Sequence, residues 1–341
     1  MSVMGKAWVA PTIGWSYVQL VGKDVGKFLN NFCTADLKRV APGHAQELML
    51  LNGKGHVLAW GVGLVGENVL RLMLSGRTAA QIIEHLDAYL FSEDVQMSPW
   101  PARSWLIAGL QDLEKAEQSS APLEVREPIL SRMVGTDPAA AAESASTKKE
   151  DTWSLWQTIG NARWLVTSDT LEMPDILAET APWRTEIASE VPWISASIGD
   201  YHRWRIQSKI PIVGQDTNAN TLPQELLRDD SAISFTKGCY LGQETVARLD
   251  AMGHVNWNLR TLTLDSLWPN NLTHTDSGAP TDEVAIRSAE QTLGQLTSIC
   301  GDKALARIRA SAVEEFRRTQ GVNWQLSMNT TPVPQKIQEI I

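Results

Sequence analysis

Residues 236–248 read TKGCYLGQETVAR. This stretch places a lysine, a cysteine, a tyrosine and a glutamate close together, with Gly238 and Gly242 between them. Because glycine permits positive φ angles and close backbone approach, the stretch predicts a sharp turn. Lys237, two residues before Cys239, could lower the pKa of the thiol by favouring the thiolate. The residues alone are compatible with a reactive site, a ligand clamp, or a tight turn with a free, half-buried cysteine.

The segments on either side of this stretch follow different patterns. Before it, strands and amphipathic helices mix without strict β-α-β alternation, which favours an α+β body. In DVGKFLNNF (24–32), Asp24 is placed as the N-cap of a helix whose apolar residues recur at helical spacing. After residue 255, short alternating runs separated by Pro, Asn, Gly and Asp predict a β-barrel or sandwich. The stretch therefore lies at a domain junction, where ligand pockets are common.

Composition and charge narrow the class of protein. The 341-residue chain carries a net charge of −9, which argues against a direct nucleic-acid partner because such binding needs a basic surface. Three scattered cysteines favour a reducing compartment over a disulfide framework. The sequence contains neither a membrane-spanning apolar run nor a recognisable presequence, so we expect a cytoplasmic protein with no membrane partner. It also lacks CxxC and close histidine pairs, so we expect no bound metal.

The same patterns predict two domains. Residues 1–235 form the α+β body, and residues 236–341 carry the junction stretch and a C-terminal β domain. Within the body, TDPAAAAESASTKKED (136–151) is small, polar and low in complexity, which predicts a flexible loop. The sequence has no GxGxxG after a strand and no GxxxxGK[ST], so dinucleotide and nucleoside-triphosphate chemistry lack support.

The junction stretch contains KGCYLGQE, which resembles the signature K-G-C-Y-x-G-Q-E of the YgfZ family. Members of this family are folate-binding relatives of the glycine-cleavage T-protein that support iron–sulfur proteins. Four other segments resemble the family in the same order along the chain: LVGKDVGKFLNNFCTADL (20–37), LLNGKGHVLAW (50–60), WRIQSKIPIVGQDT with TLPQE (204–225), and LGQLTSIC with KALARIR (293–309). The resemblance thus covers nearly the whole chain.

The resemblance implies a fold and a set of site residues. It implies a T-protein-like three-part ring, in which two α+β lobes within 1–235 and a C-terminal β-barrel surround a central cavity that accepts tetrahydrofolate. Cys239 and Lys237 would form the functional motif beside that cavity. Trp15 could stack on the pterin or aminobenzoyl ring, although a core position on a strand is the alternative. The residues expected to contact folate are Trp15, Tyr201, Arg205, Gln207, Tyr240, Gln243 and Glu244.

Two departures from the family pattern bear on the activity. Aminomethyltransferases carry an acidic pair where this chain has Ala59 and Trp60, and neither residue can transfer a proton. Gln207 stands where relatives have a glutamate, and an amide oxygen cannot accept the two parallel hydrogen bonds that a carboxylate accepts. Lys209 also replaces a glycine of the family. These changes argue against aminomethyl transfer and predict weaker or shifted folate binding.

The resemblance implies a tetrahydrofolate-binding accessory protein for the assembly or repair of iron–sulfur proteins, with support of tRNA modification among its roles. A stable cluster usually needs about four ligands, so three scattered cysteines argue for transient contacts with client or assembly proteins. We expect a monomer, and whether the protein is an enzyme stays open. Two alternatives remain: a folate-dependent aminomethyltransferase or demethylase, and a folate-independent scaffold.

Overall fold

The fold was analysed in a computed structural model. Helix and strand content follow the predicted α+β class, with antiparallel sheets predominating. The structure describes residues 7–109, 131–132, 154–157, 163–168, 172–177, 193–266, 279–280, 282–288, 291–319, 321, 324–328, 331–332 and 336–341. The loop predicted at 136–151 lies outside these residues.

The strands are numbered in chain order. They are β1 (Ala7–Pro11), β2 (Ser16–Val21), β3 (His44–Leu51), β4 (Val57–Val65), β5 (Val69–Ser75), β6 (Gln96–Pro99), β7 (Ala102–Gly109), β8 (Ser131–Arg132), β9 (Ser154–Gln157), β10 (Arg163–Ser168), β11 (Trp193–Ser195), β12 (Trp257–Leu264), β13 (Val284–Ser288), β14 (Gln291–Cys300), β15 (Lys303–Arg309), β16 (Trp324–Met328), β17 (Thr331–Pro332) and β18 (Ile337–Ile340).

The helices are short. They are α1 (Val25–Asn30), α2 (Ala79–Asp87), α3 (Met173–Leu177), α4 (Ile198–Gln207), α5 (Asp229–Ala232), α6 (Gln243–Met252) and α7 (Ala310–Thr319), with 3-10 turns at Leu37–Arg39 and Pro223–Leu226. In the described part of the chain, no helix is long and apolar enough to cross a membrane.

Three sheets organise the described chain. A six-stranded sheet has the order β6-β2-β5-β4-β3-β8, and a five-stranded mixed sheet has the order β11-β1-β7-β10-β9. The C-terminal strands form a seven-stranded antiparallel sheet, β17-β16-β13-β14-β15-β12-β18. The pairings of the described residues do not join β17 to β18, so closure into a barrel stays a prediction, as does the three-part ring. The domain boundary at 235/236 likewise stays a prediction.

The six-stranded sheet is buried on both faces. One face, which includes Leu70 and Leu72 of β5, packs in a core with α1 and α2. The other face, which includes Met73 and Trp60, packs in a central core that receives side chains from all three sheets. Every residue of β5 is buried as a result, although leucines that alternate along a strand, as Leu70, Leu72 and Leu74 do, are typical of a half-buried strand. Successive side chains of β5 point alternately into the two cores, so neither face of the strand meets solvent.

Candidate functional site

Lys237 is a buried anchor of the signature loop, the segment from Lys237 to Gly242. Its side chain is 7% exposed. The ammonium Nζ donates to the carbonyl oxygens of Asn30, Cys33 and Ala35 at 2.6, 2.9 and 2.6 Å. An ammonium group has three N–H donors, so these three bonds use its full capacity. Lys237 therefore ties the loop to the segment that follows α1, which differs from the expected role of activating Cys239.

The two glycines at the end of the loop and at the β3–β4 turn make a close backbone contact. Gly242 has φ +80°, and a Cβ there would lie 2.6 Å from the carbonyl oxygen of Asn52. A Cβ on Gly55 would in turn lie 2.9 Å from the carbonyl oxygen of Gly242. Thr245 Oγ1 also donates to the carbonyl oxygen of Lys54 at 2.9 Å. The NGKG turn and the signature loop thus form one structural unit, in which only glycine fits at the point of contact.

Between these two anchors the loop presents Cys239 to solvent. Cys239 is exposed, Cys300 is half-buried, and Cys33 is buried. Burial raises the pKa of the Cys33 thiol to about 11, partly offset by the positive charge of Lys237. Burial also raises the pKa of Cys300. Because nucleophilic reactivity requires an accessible thiolate, Cys239 is the cysteine placed to react with an external group.

The remaining candidates in the loop have contrasting environments. Tyr240 is buried, and Lys237 Nζ lies 5.0 Å from the centre of its ring, within cation–π range. Burial raises the pKa of Tyr240 to about 12, so its hydroxyl stays protonated at neutral pH. Gln243 begins α6 and is half-buried, whereas Glu244 is exposed on the first turn. Of these, Glu244 is openly available to a partner in solvent.

Trp15 and Tyr201 are brought together in an aromatic cluster. The indole N–H of Trp15 donates to the hydroxyl of Tyr201 at 3.0 Å. The Trp15 ring lies 5.6 Å from that of Trp60 and 5.3 Å from that of Trp164. Tyr201 is fully buried, which raises the pKa of its hydroxyl, whereas Trp15 is only half-buried. The Trp15 ring therefore contacts the core and also remains partly accessible, and its stacking on folate stays a prediction.

Trp15 borders a cavity of about 400 Å³, which we call the Trp15 cavity. Tyr17 and Trp105 add aromatic surface to its wall, and the Tyr17 hydroxyl is 2.6 Å from Ser104 Oγ. At its outer side, Arg103 Nη1 donates to Glu172 Oε1 at 2.7 Å. These wall residues belong to none of the sequence motifs described above. Arg103 and Glu172 are 69 residues apart, and no local motif marks such a pair.

Arg205 lies in a buried polar network. Both Arg205 and its partner Asp216 have fully buried side chains, and Arg205 Nη1 donates to Asp216 Oδ2 at 3.0 Å. Arg205 Nη2 donates to Ser298 Oγ at 2.7 Å, and Ser298 Oγ donates to Asp216 Oδ1 at 2.6 Å. Thr297 Oγ1 donates to the same oxygen at 2.6 Å. This network joins α4 to β14.

Gln207 and Lys209, two residues that depart from the family pattern, lie at the end of α4. Gln207 is the last residue of the helix and is half-buried. Lys209 follows the C-cap Ser208 and has φ +55°, in the left-handed region. Glycine is the usual residue at this position after a helix because other residues are strained there. The left-handed backbone at this position therefore explains why the family pattern has a glycine here. Lys209 adopts the left-handed conformation at a cost in folding free energy.

Ala59 and Trp60, which the family resemblance aligns with the acidic pair of aminomethyltransferases, occupy core positions. Ala59 is 1% exposed and lies in the core beside α1 and α2. Trp60 is 3% exposed, and its indole N–H donates to Glu47 Oε1 at 2.6 Å. Glu47 is bridged by the Arg228 guanidinium, which lies 5.0 Å from the centre of the Trp60 ring. The Glu47 carboxylate is thus engaged by an ion pair and an indole.

The described contacts place the nine candidate residues in three groups. Trp15 and Tyr201 share the aromatic cluster, Arg205 and Gln207 lie on the second half of α4, and the others belong to the signature loop and the start of α6. Their assignment as functional and folate-contacting residues stays a prediction.

No family model matches the chain. Among curated proteins, it is 25% identical over 252 residues to the tRNA-modifying protein YgfZ of Yersinia enterocolitica, covering 70% of this chain and 66% of that protein. The YgfZ of Yersinia pseudotuberculosis is 26% identical over 250 residues, with the same coverage. The YgfZ of Colwellia psychrerythraea is 44% identical over 64 residues, which is 18% of this chain and 19% of that protein.

Among solved structures, the glycine cleavage system aminomethyltransferase T of Bartonella henselae matches with a TM-score of 0.65 and 12% identity. The match covers 99% of this chain and 86% of that chain. At this identity the likeness concerns the fold alone, and it supports a T-protein-like fold with a curled C-terminal sheet. Together with the curated relatives, it confirms the family resemblance predicted from the sequence.

Proposed function

We propose that this YgfZ-type chain with a T-protein-like fold binds tetrahydrofolate and assists the assembly or repair of iron–sulfur proteins in the cytoplasm. The two Yersinia relatives match over 66% of their length, and their name describes a role in tRNA modification. The proposal divides into a ligand site at Trp15 and a contact site at Cys239.

The observation that carries the folate proposal is the accessible Trp15 ring at a cavity of suitable size. Small-molecule sites typically have volumes of about 300–1,000 Å³, mostly apolar walls and a few polar groups. The Trp15 cavity measures about 400 Å³ and combines the rings of Trp15, Tyr17 and Trp105 with Arg103 and Glu172. A pterin or aminobenzoyl ring can stack on an indole, and the Arg103–Glu172 pair can bind one polar end of the ligand, either a folate carboxylate through the guanidinium or the pterin N–H groups through the carboxylate. The residues present therefore fit tetrahydrofolate.

Tyr201 would orient the ring that binds folate. Its hydroxyl accepts the Trp15 indole N–H, which fixes the ring plane against the aromatic cluster. Bound tetrahydrofolate would supply a reduced pterin beside the protein surface. The residues of this chain would stack it, fix its orientation and exclude water from one face.

The observation that supports a protein contact at the signature loop is the exposed Cys239 between two rigid anchors. Lys237 and Gly242 fix the loop on either side, so the thiol has a defined position without being buried. Such a group is suited to transient contact with a client thiol, sulfur or iron. A protein that contacts its clients in this way needs no cluster ligands of its own beyond the cysteine.

A calorimetric titration with tetrahydrofolate tests the ligand site. We expect binding by the wild type and about three- to tenfold weaker binding by Trp15→Leu, which removes the aromatic ring, since a stacking contact contributes about 0.5–1.5 kcal/mol. Trp257→Leu is the matched control, because Trp257 contacts Arg307 and Arg309 in the C-terminal sheet. Unchanged folate affinity in Trp15→Leu, with both variants folded, would rule out this site. No binding by the wild type would instead favour the folate-independent scaffold.

A complementation experiment tests the contact site. In a strain that lacks the endogenous factor, Cys239→Ser is expected to lose the recovery of iron–sulfur enzyme activity, whereas Cys300→Ser is expected to retain it. The two variants remove one thiol each, and only Cys239 is exposed. Full recovery with Cys239→Ser would contradict the assignment.

The buried positions of Ala59 and Trp60 disfavour the aminomethyltransferase alternative, since a proton-transferring acid is lacking at both. Release of methylenetetrahydrofolate from an aminomethyl donor would restore it. Direct action on tRNA is disfavoured by the net charge of −9. We therefore assign any effect on tRNA modification to client proteins, and tight tRNA binding at physiological salt would contradict this.

A further inference from the structure

A second cavity, of about 340 Å³, lies along the C-terminal half of α6. We call it the α6 cavity. Its polar wall includes Gln224, Asp229, Asp250 and His254, and its apolar wall includes Leu227, Phe235 and Leu249. Neither the Trp15 cavity nor the signature loop contributes a lining residue to it. It is therefore separate from both parts of the proposed function.

Two buried acceptors at this cavity have unused hydrogen-bonding capacity. Gln224 is 7% exposed, and its Nε2 donates to the carbonyl oxygen of Val246 at 2.9 Å, which fixes Oε1 as the acceptor end of the amide. Gln224 Oε1 and Asp229 Oδ1 are both buried, and the described residues supply neither of them with a hydrogen-bond donor. Buried acceptors without donors are uncommon, and in native proteins they often mark a missing ligand or ion.

The charge at the cavity is negative. Asp229 and Asp250 line it, and burial together with the charges of Asp230 and Asp250 raises the pKa of Asp229 to about 6. At neutral pH the Asp229 carboxylate is therefore mostly ionised, and among the ion pairs of the described residues none neutralises it in the way that Arg228 neutralises Glu47. A bound cation with N–H donors would supply both the charge and the hydrogen bonds.

The walls favour an organic cation over a metal ion. Among the described residues, no cluster of three or more His, Cys, Asp or Glu is placed to bind a metal. Leu227 and Phe235 are instead 37% and 45% exposed, which is unusual for large apolar side chains, and both line the cavity. An alkyl chain covers such surface while its ammonium group reaches the acceptors. An ammonium has three donors, enough for Gln224 Oε1 and Asp229 Oδ1 together.

We propose that the α6 cavity binds a primary ammonium group carried on a short alkyl chain. The ammonium donates to Gln224 Oε1 and Asp229 Oδ1 after small side-chain rotations, and the chain lies against Leu227, Phe235 and Leu249. Such a group is carried by free alkylamines and by lysine side chains of proteins. The cavity would thus serve either a small amine or a lysine of a partner that docks beside α6.

Titrations of the full chain at neutral pH with n-pentylamine, Nα-acetyl-lysine N-methylamide and n-pentanol test this proposal. Binding can be followed by ligand-observed NMR at millimolar concentrations. We expect both amines, or pentylamine alone, to bind and pentanol to bind at least about tenfold more weakly, as loss of a charge-assisted hydrogen bond predicts. Binding of both amines assigns the site to protein lysines, and binding of pentylamine alone assigns it to free amines. Equal binding of pentanol, or no binding of either amine, overturns the proposal.

Matched variants separate binding from folding. Asp229→Asn is expected to weaken amine binding at least about tenfold while the thermal midpoint stays the same or rises, because it removes a buried, unneutralised charge. Asp230→Asn makes the same charge change on the adjacent exposed residue and is expected to alter affinity by less than about threefold. Equal effects of the two variants would show long-range attraction only and would overturn the site. Tetrahydrofolate binding should be unaffected by either change, so failure here leaves the proposed function intact.

Discussion

Replacing Lys237 with methionine is expected to destabilise the fold, although the sequence alone suggested a reactive role for this lysine. Methionine keeps the unbranched apolar stem and removes the ammonium group. Three carbonyl oxygens, those of Asn30, Cys33 and Ala35, then lose donors at 2.6–2.9 Å. The substitution therefore tests the anchor with little change in packing.

The magnitude follows from opposing contributions. Hydrogen bonds to charged groups contribute about 1.5–3 kcal/mol each, so three bonds represent roughly 4.5–9 kcal/mol. Burying the ammonium costs free energy, and burial accordingly lowers the pKa of Lys237. Water can also reach some of the carbonyls once the ammonium is gone. We expect a net loss of about 3 kcal/mol in the free energy of unfolding, the low end of the cost of breaking a buried charge interaction.

Chemical denaturation followed by near-UV circular dichroism measures this loss. Lys38→Met is the matched control, because Lys38 is exposed and close in sequence to the anchored segment. It is expected to change stability by less than about 0.5 kcal/mol. If Lys237→Met were as stable as Lys38→Met but failed to support iron–sulfur enzymes, the anchor interpretation would be refuted and a chemical role for the lysine restored.

Four further predictions concern other positions. Gly242→Ala is expected to lower the free energy of unfolding by about 2–4 kcal/mol, measured by denaturation, because φ is +80° and the new Cβ would meet the Asn52 carbonyl. Lys209→Gly is expected to raise it by about 1 kcal/mol in the same assay by relieving a left-handed conformation, and a loss would contradict this. Under native conditions, iodoacetamide should label Cys239 well before the buried Cys33, as read by mass spectrometry. Folding makes Asp229 easier to protonate, raising its pKa from 3.8 to about 6, so the contribution of this group to stability should fall as pH rises through this range. Asp229→Asn should remove that part of the pH dependence in denaturation series, and an unchanged profile would count against it.

Local patterns predicted helix boundaries well where the deciding contacts are themselves local. Thr78 is the N-cap of α2 and forms a capping box with Gln81, and a Thr-x-x-Gln pattern at the start of an apolar helical repeat is the local signature of such a cap. Asp24 occupies the predicted N-cap of α1, but its carboxylate accepts from the backbone N–H of Asp94 instead of capping the helix. A contact 70 residues away therefore replaces the local one. The spacing of apolar residues along a helix cannot predict that a distant backbone N–H will take the place of the helix N-terminus as the partner of Asp24.

The candidate site was harder to predict because its contacts are long-range. The family resemblance selected Lys237, but its hydrogen-bond partners lie more than 200 residues earlier in the chain. From the sequence alone, the positive charge of Lys237 was expected to act on a nearer partner, the Cys239 thiol. Similarly, the glycine spacing of the loop predicted a turn, but not that Gly55 and Gly242 touch. Sequence patterns selected the candidate residues, and the structure shows that Lys237 and Gly242 hold the loop in position.

Trp60 links the loss of the family acid to the character of the proposed ligand site. Its indole ring contacts Trp15, and its N–H donates to Glu47. Trp60 therefore contributes packing, and it cannot transfer a proton as the acid implied by the family resemblance would. The same substitution supports Trp15, whose ring is fixed by Trp60, Trp164 and Tyr201 while its accessible part faces the cavity. A site built in this way favours holding an aromatic ligand over converting it. This physical reason leads us to place folate binding, and not aminomethyl transfer, at the centre of the proposed function.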